Sequence, residues 1–398
     1  MNSNSLDDWL DYIDQNRPKE GEFGLKRLRP IKNIVLESPI AKKVVVIGGT
    51  NGKGTSAEFL NNLLLESNFN VGLYTSPHLF QFNERIRING SPISDFEIIE
   101  AFKEIEKIKK DTRLTYFDYT TIAAFIIFTK NTLDVAILEI GLGGKFDPVN
   151  LLDADISILT NVELDHQKWL GNTREEIGEE KSAIFRDGKV IIMGANEMPF
   201  SVMKKVNELN AKTLQLGIDF FEDEIKSNNL NKKSAACSIA AYKEITDSPI
   251  NFNEILEQTN LLGRCDVKGN FILDVSHNLA SVRNLVEFLN EEYKDKSIKA
   301  IVGLMQDKDI NDIIKEVKDI ISEWYACSPN IDRAMSSNNL KELISDETNS
   351  KVEVFESVDL AIERAIKEND SDMVIVFGSF FTVSEAYDSL SKHHQIDL

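Results

Sequence analysis

The stretch Val44–Thr55, VVVIGGTNGKGT, decides the fold. Its first four residues are β-branched and apolar, and Lys43–Ile47 is expected as a buried strand. The glycines that follow predict a tight turn, and Phe59, Leu60, Leu63 and Leu64 recur at helical spacing, predicting a helix over 55–67. A glycine-rich turn between a strand and a helix lets backbone N–H groups curl around phosphates, and the helix start adds the positive end of its dipole. Lys53 is placed to reach β- and γ-phosphates and Thr55 to approach a bound Mg2+, with Asn51, Gly52 and Gly54 forming the cradle. The spacing departs from the Walker A consensus, because Gly54 separates the lysine from the hydroxyl. The alternative is an ordinary glycine-rich turn with a surface lysine, and a strand before and a helix after argue against it.

Working outward, further β-branched runs at Asp134–Ile140, Asp155–Thr160 and Val190–Met193 alternate with helical patterns, the signature of a parallel sheet covered on both faces. A second set starts at Phe271–Val275 and continues through Lys299–Gly303, Trp324–Cys327, Lys351–Phe355 and Met373–Phe377. The segment Asn260–Lys268, NLLGRCDVK, joins the two sets. The expectation is an α/β chain: residues 1–262 form a P-loop domain and residues 263–398 a smaller, Rossmann-like α/β domain.

A chain of 398 residues suits two or three domains at about 150 residues each. Hydrophobic residues make up 42% and charged residues 28%, an ordinary globular composition. Lysine and arginine number 45 against 65 acids, a net charge of −20, which disfavours sequence-independent nucleic-acid binding and docking on anionic membranes. An acidic protein that binds a polyanion such as ATP must concentrate cations, or a metal, at one place. The three cysteines, Cys237, Cys265 and Cys327, are far apart and form no CxxC, so neither a disulfide framework nor a zinc site is expected. The acidic start MNSNSLDDWLDYIDQ is not a secretory signal, and the apolar run around Ile122–Phe128 is too short to span a bilayer. A cytoplasmic protein is expected.

Two further strand ends carry chemistry. Glu139 closes an apolar run, where an acid is normally excluded unless paired or metal-bound, and strand ends are where open sheets bind ligands. Gly141, Gly143 and Gly144 after it are expected to let a backbone turn approach a ligand. Asp165-His166 follows a third strand, and on residue type alone His166 is as readily a hydrogen-bonded histidine as a metal ligand. Tyr74–Leu79, YTSPHL, reads as an ordinary proline-containing turn.

These pieces together resemble the Mur-type ligase superfamily, and more closely its dihydrofolate synthase/folylpolyglutamate synthase family. The resemblance covers nearly the whole chain in family order: GTNGKGT (49–55), YTSPHL (74–79), ERIRING (84–90), LTYFDYTT (114–121), LEIGLGGKFDPVN (138–150), LDHQKWLGNTREEIGEEKSAIF (164–185), LLGRCDV (261–267), LDVSHN (273–278), MQDKDI (305–310) and GSFFTV (378–383). It implies ATP-dependent joining of L-glutamate to dihydropteroate and tetrahydrofolate through an acyl phosphate, with ADP and phosphate released and Mg2+ required. By resemblance Ser76, Glu139 and His166 hold the metal, Lys181 is the carbamylated lysine, and Arg264, Asp274 and His277 serve the nucleotide and the reaction. Pterin contacts map onto Glu22, Phe23, Gly24, Leu25, Thr115, Tyr116, Phe117, Asp118, Phe146, Asp147 and Pro148. Departures are Asp118 for a longer acid, Lys145 for arginine, FDPVN for LDATN, and Ser234 at the place of an ATP-contacting asparagine. Composition alone reads Lys181, beside Glu179 and Glu180, as a solvated helix lysine, and Arg264 as a surface arginine. The competing classes are a cell-wall Mur ligase, disfavoured by TYFDY and a short N-terminal region; a P-loop kinase or GTPase, which leaves the second domain unexplained; and a non-catalytic nucleotide binder, disfavoured by Lys53, Glu139, His166 and Lys181 together. A monomer is expected, with small-molecule substrates, no nucleic acid and no membrane partner.

Overall fold

Four strands whose residues are buried on both faces form the centre of the first sheet. They are β1 (Lys43–Gly48), β2 (Val71–Tyr74), β5 (Val135–Glu139) and β6 (Ile156–Leu159). Around them lie β3 (Ile86–Ile88), β4 (Ser91–Pro92), β7 (Val190–Met193) and β8 (Lys212–Gln215), in the order β4-β3-β2-β5-β1-β6-β7-β8. In this computed structural model the described residues are 3, 5–18, 24–223, 225–226, 231–259, 261–368 and 372–396. Strands β2, β5, β1, β6, β7 and β8 run parallel, as crossover helices demand, and the antiparallel pairings are β3 on β2 and β4 on β3.

The register sets up the site. Ile47 pairs with Glu139, Gly48 with Leu159 and Tyr74 with Leu138, so the carboxyl ends of β2, β5, β1 and β6 lie side by side. Every loop carrying a singled-out residue of this unit between Gly49 and His166, apart from Thr115–Asp118, leaves from that edge. The helix after the phosphate turn is Lys53–Glu66, two residues earlier than its apolar spacing suggested, because Gly52 at φ +83° starts it. Helix Tyr116–Thr129 is apolar on all sides and accordingly buried, Asp118–Phe128 being sealed throughout. No helix among the described residues is long and apolar enough to cross a membrane.

The chain divides into two compact units, one reaching Lys226 and resuming at Asn231–Thr259, the other covering the rest from Leu261 on. The second has its own sheet of β9 (Asp266–Lys268), β10 (Phe271–Asp274), β11 (Ile298–Val302), β12 (Glu323–Ala326), β13 (Lys351–Val354) and β14 (Met373–Phe377), ordered β13-β12-β11-β14-β10-β9. All its pairings are parallel except β9 on β10. Its core is built on Trp324, Phe377, Ile313 and Leu340, separate from that of the first unit.

One glycine is tested directly by this packing. Gly49 has φ +143°, and a Cβ there would lie 1.8 Å from Thr160 Oγ1. Gly49→Ala is expected to destabilise the protein by roughly 2–5 kcal/mol through backbone strain and overpacking. A thermal melt of the variant matching the wild type would show that the turn is softer than its geometry.

Candidate active site

The loop after β1 is fastened to the loop after β6 by its own hydrogen bonds. Thr50 N–H donates to Asn161 O (3.1 Å) and Asn51 N–H to Asn161 Oδ1 (3.0 Å), while Thr160 Oγ1 and Asn161 Nδ2 donate to Asn51 O at 2.7 and 3.1 Å. A phosphate bound here would meet a turn shaped in advance, which lowers the ordering cost of binding. Ser56 N–H closes the first helical bond, on Gly52 O at 2.9 Å. The amides of Lys53, Gly54 and Thr55 before it are the donors that a helix start leaves over, at the positive end of its dipole. Ser234 is 4% exposed and lies behind this turn: its Oγ donates to Asn231 Oδ1 (3.2 Å) and sits 2.3 Å from where a Gly52 Cβ would be.

Two lysines converge on one carbonyl. Gly49 O accepts Lys53 Nζ at 3.1 Å and Lys181 Nζ at 2.8 Å, and Lys53 also reaches Thr50 O at 3.2 Å. Lys181 stands in the last turn of helix Arg174–Ser182 and is 4% exposed. The solvated lysine that composition favours is therefore replaced by a buried one. The reason is tertiary: Gly144 lets that helix end pack so closely that a Cβ would lie 2.7 Å from Glu180 O and 3.0 Å from Lys181 O. Burial, then the charge of Lys53, lower the Lys181 amine to about 7, against the opposing pull of Asp165 and Asp147. At neutral pH a large fraction is the free amine.

Glu139 ends β5 and is 5% exposed; its Oε2 accepts Ser76 N–H at 3.0 Å. A Cβ on Gly54 would lie 3.8 Å from the same oxygen, which sets the carboxylate against the phosphate turn. Ser76, in a cis bond to Pro77, and Thr55, 4% exposed, add hydroxyls. Among the described residues no group of three or more His, Cys, Asp or Glu side chains is placed to hold a metal. One carboxylate with hydroxyls beside a phosphate cradle fits Mg2+, a hard cation that keeps waters and shares substrate phosphates. His166 takes a left-handed conformation, φ +51°, at the start of helix Gln167–Leu170, and its Nε2 lies 3.9 Å from Asp165 Oδ2.

The aromatic and acidic residues assigned to the pterin form two groups. Thr115 caps helix Tyr116–Thr129, and Asp118 Oδ2 accepts Thr115 N–H (2.6 Å), Thr115 Oγ1 (2.7 Å) and Arg27 Nη2 (2.7 Å). The shorter acid thus spends one oxygen on the helix cap and on Arg27, a residue whose position in KRLR gave no signal. Phe117 lies over Gly141, 2.4 Å from its would-be Cβ, and Asp147 accepts the N–H groups of Gly141, Leu142 and Val149 at 3.0, 3.1 and 2.9 Å. What approaches Gly141 and Gly144 so closely is the protein itself, a ring and a helix end, where sequence suggested a ligand. Burial pushes Asp147 up to about 7, despite those donors. Pro148 is buried and Phe146 is 59% exposed, with Lys145 Nζ 5.5 Å from its ring centre. Gly24 has φ +122° and Leu25 opens a short 3-10 helix; Glu22 and Phe23 lie outside the described residues.

In the second unit Asp274, 6% exposed at the end of β10, accepts Cys265 N–H and Ser276 N–H, both at 2.8 Å, and the Ser276 hydroxyl. The Arg264 guanidinium lies 5.1 Å from the Phe380 ring centre, and the His277 ring is 6.3 Å from the same ring. His277 Nδ1 is 2.8 Å from Val275 O. Phe380 of the GSFFTV motif therefore links Arg264 and His277, a role no local pattern announced.

Residues 47–270 match the Mur ligase middle domain, and residues 263–380 the Mur ligase glutamate ligase domain. The chain is 34% identical to the dihydrofolate synthase/folylpolyglutamate synthase of Buchnera aphidicola from Baizongia pistaciae, covering 96% of this chain and 94% of that one. It is 32% identical to the Escherichia coli K12 protein of the same name, over 95% and 94%. Among solved structures it resembles E. coli FolC in complex with DHPP and ADP, with a TM-score of 0.92 at 30% identity over 98% of both chains. The Yersinia pestis enzyme complexed with AMPPNP and Mn ion gives 0.89 at 32% identity, again over 98% of both. On this likeness of sequence and fold, the chain belongs to the dihydrofolate synthase/folylpolyglutamate synthase family of Mur-type ligases, ATP-dependent enzymes that join an acid to an amino acid.

Proposed function

We propose that this chain adds L-glutamate to dihydropteroate and to tetrahydrofolates through an acyl phosphate, releasing ADP and phosphate, as a cytoplasmic monomer. The observation that carries this is the convergence of Lys53 and Lys181 on Gly49 O, in a phosphate turn flanked by Glu139. A carboxylate is a poor electrophile, and its phosphorylation brings two anions together, which costs several kcal/mol unless cations face them. Lys53 supplies a fixed positive charge at the transferring phosphate, and the amides of Lys53–Thr55 hold its oxygens. Mg2+, when bound, neutralises phosphate charge and polarises the transferring group; Ser76, Glu139 and His166, with Thr55, would hold it. Asn51, Gly52, Gly54 and Ser234 shape the nucleotide end. By this proposal residues 1–262 carry nucleotide and pterin, and within residues 263–398 Arg264 and Asp274 serve the nucleotide and His277 the reaction. Attack of the glutamate amine on the acyl phosphate then forms a tetrahedral intermediate, which collapses to the amide as phosphate leaves. Glu22–Leu25, Thr115–Asp118 and Phe146–Pro148 serve the pterin, with flat rings offered by Phe117 and Phe146.

The test is ADP release with dihydropteroate, tetrahydrofolate or a UDP-muramoyl substrate, each with and without L-glutamate. Glutamate-dependent release with the first two supports the proposal; release only with the UDP-linked substrate overturns it. Glu139→Ala and His166→Ala are each expected to raise the Mg2+ needed for half-maximal rate by roughly 100-fold, with partial recovery at high Mg2+. Wild-type Mg2+ titrations in both variants would make these residues structural.

A further inference from the structure

The turn Phe82–Arg85 follows the Ser76–Leu79 loop and presents a cation that the proposed reaction leaves without a task. Arg85 is 8% exposed, its guanidinium carbon 5.8 Å from the Phe82 ring centre and 5.5 Å from that of Tyr116. Its Nε donates to His78 Nδ1 at 2.8 Å, so the proton of that ring sits on Nε2, a second donor. The adjacent acid does not neutralise it. Glu84 turns its carboxylate to the N–H groups of Leu79, Phe80 and Gln81, at 2.7, 2.9 and 2.6 Å. Among the described residues Arg85 makes no ion pair, and its Nη groups, which donate to nothing, are not among the polar atoms sealed from solvent.

The guanidinium packs against two ring faces and keeps its Nη edge open to solvent with no anion among the described residues facing it, which leaves that edge available to an anionic group. Its planar fork beside an imidazole N–H is the donor set that matches a carboxylate. The loop bearing His78 also bears Ser76, whose N–H holds Glu139 Oε2 at 3.0 Å, so this donor set is tied to the phosphoryl-transfer end of the site. The two acceptors proposed above differ in one relevant group. Dihydropteroate has a single carboxylate, the one that reacts; a folate ends in glutamate and keeps a second carboxylate that does not. We propose that Arg85, with His78, binds this unreacted carboxylate and thereby sets acceptance of folates apart from acceptance of dihydropteroate. The inference rests on the proposed function and adds a specificity determinant to it.

The test measures glutamate-dependent ADP release with dihydropteroate, tetrahydrofolate and a tetrahydrofolate analogue whose unreacted carboxylate is a carboxamide. In the wild type the carboxamide should show a KM roughly 10–100-fold above that of tetrahydrofolate, the worth of one charge-assisted contact. Arg85→Gln should lower the ratio of kcat/KM for tetrahydrofolate over dihydropteroate by a similar factor, without further weakening the carboxamide. Arg85→Lys, which keeps the charge, should restore part of the ratio and carries the test if the glutamine variant does not fold. Equal use of tetrahydrofolate and carboxamide by the wild type, or an unchanged ratio in both variants, overturns the inference. So does a wild type that uses dihydropteroate but not tetrahydrofolate. A wild type active on neither acceptor overturns the proposed function itself.

Discussion

Lys181→Ala is expected to lose roughly 100- to 1,000-fold in ligation rate, the scale of removing one preorganised charged group from a phosphoryl or acyl transfer site. The expectation follows from the state of the amine. Buried and beside Lys53, it is lowered to about 7, so the free amine needed to add CO2 is present at neutral pH. The reaction is R–NH2 + CO2 → R–NH–COO− + H+: the amine lone pair forms the C–N bond and the proton leaves to solvent. The carbamate nitrogen keeps one N–H, enough to preserve the bond to Gly49 O. Charge at this position then changes from positive to negative, beside a turn where Mg2+ is expected. Because the proton is released, modification is favoured as pH rises through about 7 and lost below it. Enzyme stripped of bicarbonate at low pH should therefore start slowly and recover when bicarbonate is restored, and Lys181→Glu should keep more activity than Lys181→Gln. Intact mass showing an unmodified lysine in fully active enzyme would refute the carbamate.

Stability separates this role from a structural one. The folded amine binds its proton less tightly than an unfolded lysine, so its burial destabilises the fold below about pH 7, and stability rises with pH between about 7 and the ordinary lysine value of 10.5. Lys181→Met removes that buried charge, and Gly49 O still has Lys53 as donor. The variant should melt at or above the wild-type temperature at pH 6 while remaining inactive. A sharp fall in melting temperature would mark Lys181 as a structural lysine.

Lys53→Ala is expected to be the most damaging single change, roughly 1,000-fold or more in ADP release, with the fold left intact. Among the described residues the side chain bonds only to Gly49 O and Thr50 O, and the turn is held independently by the Asn51, Thr160 and Asn161 bonds. Its melting temperature should stay within about 2 °C of the wild type, as for substitutions outside the core. Unchanged turnover in the folded variant would sink the assignment of this turn to ATP phosphates.

Local pattern carried β1, β5, β6 and β7, the glycine-rich turn into a helix and the strand-end carboxylate, because a buried parallel strand must be apolar. It placed the helix after the turn two residues late and did not register β2, β8 or the short strands Ile86–Ile88 and Asp266–Lys268, whose pairing is decided by neighbours rather than by their own residues. From sequence alone, then, came the α/β class, the order of motifs and the reaction class that ten motifs in order imply. Tertiary structure alone decided the electrostatics. Lys181 lies in GEEKS, where composition predicts a solvated cation, yet the packing of its helix against Gly144 buries it beside Lys53 and lowers its amine to about 7. Arg27 on Asp118, Phe380 between Arg264 and His277, and Arg85 between two rings are likewise contacts across distant parts of the chain. Burial and charge proximity are properties of the folded neighbourhood, and no spacing of residues along the chain encodes them.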